Sequence, residues 1–147
     1  SWIVRLFYSN KFILIPNTLL FNWRNAPKHV GKTALFSEHE DEFISASFLL
    51  SLVNKDEKNF NNKFIWCSIN NLRETGYFMR NARQAVNQTN FNGDLLNKTK
   101  LSVPYIEIQN QIVSQIEEEM AIVKQNKQLI EIFEQKIKDK ISEVWGE

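Results

Sequence analysis

From Tyr105 to Trp145 the chain contains neither glycine nor proline. A breaker-free run of that length, rich in Glu, Lys, Gln and Ile, has the α-helix as its one regular conformation. Ile116, Val123, Ile130, Ile137 and Val144 recur every seven residues, and Val113, Met120, Lys127, Glu134 and Ile141 form a companion series three positions earlier. Two such interleaved series trace the seam of a coiled coil. A helix over about residues 107 to 145 would be a rod of roughly 58 Å, whereas a domain of roughly 100 residues is only about 26 Å across by its radius of gyration. The stripe is therefore expected to face a second long helix; the alternative is that it packs on the chain's own globular part. Lys127 and Glu134 interrupt the seam, and a charge there fixes register or partner at some cost in stability. A partner helix of opposite charge is implied.

Pro104 is the natural boundary before this rod, and composition changes across it. Residues 1–104 hold 13 Lys and Arg against 8 Asp and Glu, a charge of +5, while residues 105–147 hold 5 against 9, or −4. Fifteen of the 18 aromatic residues precede Pro104. The expected organisation is a packed, basic domain over 1–104 and an amphipathic coiled-coil helix over 105–147. The lone cysteine, Cys67, permits no internal disulfide and suggests a reducing compartment, hence the cytoplasm. No apolar run reaches the roughly 20 residues of a membrane span, and the first residues lack a signal peptide's layout. The absence of an initiator Met suggests a piece of a longer polypeptide.

Before Pro104, Ile3 to Tyr8, Phe12 to Ile15, Thr18 to Trp23, Lys32 to Phe36 and Ile44 to Val53 are rich in β-branched and aromatic residues, and Pro16-Asn17 and Asn25-Ala26-Pro27 break them. They are expected to be strands. From Phe60 to about Asn81 the period becomes helical, with Phe60, Phe64, Ile65, Ile69 and Leu72 on one face, Asn59 as cap and Gly76 as kink or end. Asn87 to Asp94 reads as a polar turn, and Thr99 to Val103 as a last strand. The predicted class is α+β, a strand-rich domain with a helix followed by one long helix.

Chemistry-bearing motifs are sparse. Gly31-Lys32-Thr33 lacks the glycine five positions upstream that a phosphate loop requires, since Ala26 stands there. His29, His39 and Cys67 are too few and unevenly spaced for a zinc site, and Glu38, Glu40, Asp41 and Glu42 read as a solvated turn. No Ser-His-Asp set or dinucleotide fingerprint is present, so a binding module without catalysis or metal is expected. Two segments carry residues suited to DNA. Arg24, Asn25, Lys28, His29 and Lys32 lie between strands, and Arg80, Arg83, Gln84 and Gln88 at the end of the aromatic-rich helix. Arg can grip guanine bidentately, Asn and Gln adenine, and Lys neutralises phosphate.

The junction Lys100-Leu101-Ser102-Val103-Pro104-Tyr105-Ile106-Glu107-Ile108-Gln109-Asn110-Gln111-Ile112-Val113 resembles the strand, proline turn and helix start that close a target recognition domain in type I restriction-modification specificity subunits. Pro104, Glu107, Gln109, Ile112 and Val113 match the usual run there. Tyr105 replaces a second proline and Ile108 a second Glu. Leu19-Leu20-Phe21 with Val30-Gly31-Lys32, and Asn87 to Phe91, are similar to that family's strand and Gly-Lys turn and to its polar segment before the closing strand. The resemblance runs from about Pro16 to Val144.

It implies a recognition domain reading one half of a bipartite site in double-stranded DNA, and a long helix that pairs with a second one, from the same type of chain or another recognition domain. That helix pair would set the spacing and dock methyltransferase and restriction subunits, so S-adenosylmethionine and ATP are expected on partner subunits only. The terminal Val144-Trp145-Gly146-Glu147 also resembles the end of an adenine-N6 methyltransferase polypeptide, whose catalytic Asn/Asp-Pro-Pro-aromatic motif this chain lacks. The alternative function is a coiled-coil assembly adaptor that binds no nucleic acid.

Overall fold

A computed structural model describes residues 7–8, 13–85 and 88–146, with residues 7, 8, 84 and 85 by backbone only. Expected strand residues Ile3 to Leu6 and Phe12, and Asn87 of the expected turn, lie outside the described residues. The elements are β1 (Phe7–Tyr8), β2 (Leu19–Asn22), β3 (Arg24–Asn25), β4 (Thr33–Leu35), β5 (Leu49–Val53), α1 (Asn62–Glu74), α2 (Tyr77–Asn81), β6 (Arg83–Ala85), β7 (Gln88–Asn90), α3 (Gly93–Lys98) and α4 (Ile106–Trp145). The class is α+β, as the residue patterns predicted. Two compact units are present, one ending at Asn110 and the other beginning at Gln111.

In the first unit, β1, β5, β2 and β4 form one antiparallel sheet in that order, and β3, β7 and β6 form a second. The turn at Pro16-Asn17 is made by Asn17 at φ 65°, a left-handed conformation that Asn tolerates. Alternation of period two then drives β2: Leu19 and Phe21 are fully buried while Leu20 and Asn22 are not. Trp23 carries the chain from one sheet to the other. Its N–H donates to Phe48 O, its carbonyl accepts from Phe91 N, and its indole Nε1 donates to Ser47 O at 3.0 Å.

Helix α1 covers the edge strand β4. Trp66 Nε1 donates to Thr33 O at 2.8 Å, while Asn70 accepts from Thr33 N at 3.1 Å and donates to Thr33 O at 2.9 Å. These side chains satisfy backbone groups that an open edge would leave to water or to another strand. The helix is capped by Asn61, whose Oδ1 accepts from Lys63 N and Phe64 N, and not by Asn59 as expected. Asn59 instead donates to the Asp56 carboxylate. Gly76, at φ 76°, ends the first run and α2 follows.

Phe78 on α2 closes the core against Phe21 and Phe91, with ring centroids 5.2 and 4.9 Å away in edge-to-face geometry. The same ring lies over Gly31, where an added Cβ would stand 2.2 Å from Phe78 Cδ2. Only glycine fits that turn, which also needs φ +82°.

Of the expected strands, residues 13–15 and 44–48 form none and show only an isolated bridge between Ile13 and Ile44, and three further expected features differ. The polar stretch at Gln88–Asn90 is the central strand of the second sheet, because its neighbours supply the hydrogen bonds its sequence does not advertise. Gly93–Lys98 forms a short helix capped by Asn92, whose Oδ1 accepts from Leu95 N at 3.1 Å. Thr99 to Val103 is irregular, although Leu101 and Val103 are buried; apolar alternation there reports burial without a strand to pair with.

Helix α4 spans 40 residues, about 60 Å at 1.5 Å each. Its base is fixed by Gln109, which is fully buried. The amide oxygen accepts from Asn61 N at 2.9 Å, and the amide nitrogen donates to Asn59 O at 2.9 Å and Pro104 O at 2.8 Å. Asn110 accepts from Asn61 Nδ2 at 2.8 Å.

Candidate nucleic-acid interface

The two basic segments, some sixty residues apart in sequence, meet in the second sheet. Strand β3 carries Arg24 and Asn25, β6 carries Arg83 and Gln84, and β7, with Gln88, runs between them. The register places Arg24 opposite Asn90 on one side and Arg83 opposite the same Asn90 on the other. Directly paired residues share a face. Thr89 and Phe91 alternate into the core at 1% exposure, so Gln88 and Asn90, with Arg24 and Arg83 beside them, occupy the opposite face. Arg24, Arg83 and Gln88 are exposed. At about 4.8 Å per strand, the two arginines stand about 10 Å apart.

Arg24 is held in place. Its Nε and Nη2 both donate to Gln88 Oε1, at 3.0 and 2.9 Å. The amide oxygens of Asn22 and Asn90 are buried without a hydrogen-bond partner among the described residues. Asn25 turns back on its own chain, its Oδ1 accepting from Ala26 N at 2.8 Å, and it pairs with Thr89 in the row adjoining Arg24. Gln84 also pairs with Thr89; its side chain lies outside the described residues.

The remaining candidates lie off the sheet. Lys28 and His29 sit in the turn that leads to Gly31, Lys28 exposed and His29 half-buried. Arg73, absent from the sequence-derived set, ties that turn down. Its Nη2 donates to Lys28 O at 2.7 Å, and its guanidinium also pairs with Glu74. Only the fold could reveal this, since Arg73 and Lys28 are 45 residues apart. Lys32 is exposed just before β4, so Gly31-Lys32-Thr33 enters a strand and not the helix a phosphate loop demands. Arg80 bends back to donate to Thr75 O at 2.6 Å, across Gly76, and so closes the break between α1 and α2. Burial pushes the Cys67 thiol above its usual pKa. Among the described residues no three His, Cys, Asp or Glu side chains gather as a metal site, and no helix is long and apolar enough to cross a membrane.

On α4 the seam positions divide. Val113 is buried, at 7% exposure, whereas Met120, Val123, Ile130, Ile137, Ile141 and Val144 are all more than half exposed; Ile116 is intermediate. Ile122, Leu129 and Phe133, outside the seam read from the sequence, are exposed as well. At 100° per residue they flank Ile130 and Ile137 on the side away from Lys127 and Glu134. The apolar stripe is thus wider than a two-position seam, and the two charges stand along one margin of it. Phe133, Ile137, Ile141, Val144 and Trp145 line an open apolar furrow bordered by Lys136 and Lys140.

The first unit is thus a two-sheet α+β fold that presents Arg24 and Arg83 on one face, and a long amphipathic helix follows it. The chain belongs to the family of type I restriction modification DNA specificity domains, whose model matches residues 4–141. It is similar to a Methanocaldococcus jannaschii protein named as a type I restriction enzyme specificity subunit, MjaX, at 28% identity over 102 residues. The matched stretch covers 69% of this chain and 24% of that protein, so the chain corresponds to about a quarter of the relative's length.

Proposed function

We propose that this chain is a non-catalytic module that reads one half of a bipartite site in duplex DNA through the exposed face of the β3–β7–β6 sheet. The observation that carries the reading is the convergence of two distant basic segments on that face, with Arg24 and Arg83 flanking Asn90. The major groove admits a narrow β-ribbon, and strands are an established way of presenting side chains to base edges. Membership of a DNA specificity family supports the same role. Lys28, His29 and Lys32 lie close in sequence to β3 and β4 and are suited to the phosphates beside the groove.

The helix α4 pairs with a second long helix through its apolar stripe, and the pair docks methyltransferase and restriction subunits, on which S-adenosylmethionine and ATP would be bound. Support comes from the length of the stripe and its exposure beyond Ile116. Residues 105–147 carry a net charge of −4, which makes this segment unsuited to phosphate. The test of DNA reading is a titration of labelled random-sequence and selected duplexes at 50 to 200 mM salt. Tighter binding of selected DNA with a steep negative salt slope is expected. Helix pairing without DNA affinity at the lowest salt would establish the adaptor function instead.

A further inference from the structure

Resting on that DNA-reading role, we infer that Arg24 is a guanine-reading residue whose guanidinium is pre-aimed by Gln88, and that Gln88 positions Arg24 and does not itself read adenine. Arginine has five N–H donors on a planar fork. The edge formed by Nε and Nη2 is occupied by Gln88 Oε1. The end of the fork, Nη1–H beside the second Nη2–H, has no hydrogen-bond partner among the described residues, and the side chain is exposed. Two parallel donors match the O6 and N7 acceptors that guanine alone presents together in the major groove; adenine pairs its N7 acceptor with an N6 donor. A neutral amide braces the fork without cancelling its charge, as a carboxylate would.

Gln88 has little left for adenine. Bidentate adenine recognition needs a glutamine's oxygen and nitrogen together, and Oε1 already accepts two bonds from Arg24. The brace is also built into the sheet: Gln88 is two residues before Asn90, the register partner of Arg24, which makes it the diagonal neighbour on the same face. Arg83, across Asn90 on β6, has no comparable brace among the described residues. Its freer side chain is suited to a phosphate, which accepts from any direction.

The test is selection of duplexes from a random-sequence library by the full chain and by Arg24→Ala, Arg24→Lys and Gln88→Leu variants, each checked for native circular dichroism. The wild type is expected to enrich a motif with a fixed guanine. Arg24→Ala and Arg24→Lys should each relax that one position by about tenfold or more, Lys because it keeps the charge and loses the fork. Gln88→Leu should relax the same position in part. Replacing that guanine by 7-deazaguanine should weaken the wild type and leave Arg24→Ala unchanged. A motif untouched by Arg24→Ala, or one that fades evenly at every position, overturns the assignment. If the folded wild type enriches no motif, the DNA-reading function itself has failed, and the assignment with it.

Discussion

Gln109 and Gly31 are single residues on which larger features depend. Each of the three groups bonded by the Gln109 amide is a backbone N–H or C=O in a part-buried setting, and the amide itself is fully buried. An unpaired buried group costs about 1–3 kcal/mol, so Gln109→Leu should lower stability by about 2–4 kcal/mol overall. The loss would show in urea denaturation followed by tryptophan fluorescence, and an unchanged midpoint would refute the clamp. Gly31→Ala meets Phe78 and an unfavourable φ at once. Overpacking of this kind costs about 1–3 kcal/mol, with the backbone strain added, and thermal unfolding should register the sum. Cys67 offers a check on burial. With its thiol pKa raised by desolvation, less thiolate is present at a given pH than for a free cysteine. Alkylation by iodoacetamide at pH 8 should therefore be slower than in the urea-unfolded chain and accelerate as pH rises; equal rates in the two states would contradict the shift.

At the scale of elements, local signals located the helices better than the strands. The heptads and the absence of breakers placed α4 within a residue of its observed limits, and Gly76 was recognisable as the end of α1. Strand β7 was not: Gln88, Thr89 and Asn90 are turn-formers by composition, and their pairing with β3 and β6 is made between residues up to 66 positions apart. The helix cap was missed by two residues because Asn59, Asn61 and Asn62 are equivalent as side chains, and the choice falls to whichever has its backbone extended at the right place. For α4, Ile130→Asp with Ile137→Asp puts two charges in the middle of the stripe. Sedimentation of the wild type should reveal association that the double variant lacks, with DNA binding by the first unit retained. An unchanged oligomeric state and unchanged partner binding would remove the pairing role.

For the molecule as a whole, the opposite charges of the two segments, +5 before Pro104 and −4 after it, divide the work. Counterion release scales with the phosphates neutralised. The combined variant Arg83→Ala with Lys28→Ala should therefore flatten the salt dependence of DNA binding by about two phosphate contacts, while charge removal on α4, such as Lys138→Ala, should leave it unaltered. A slope unaffected by the first change would place the phosphate contacts elsewhere. By itself the sequence determined the class, the long helix and its apolar stripe, and the residue types suited to DNA, because periodicity, breakers and charge are local properties. Only the tertiary structure decided that Arg24 and Gln88 touch, that Arg83 joins them across Asn90, and that Gln109 anchors the helix base. Those contacts join residues 48 to 66 positions apart or strands with no signature of their own, and chain packing, not local preference, selects them.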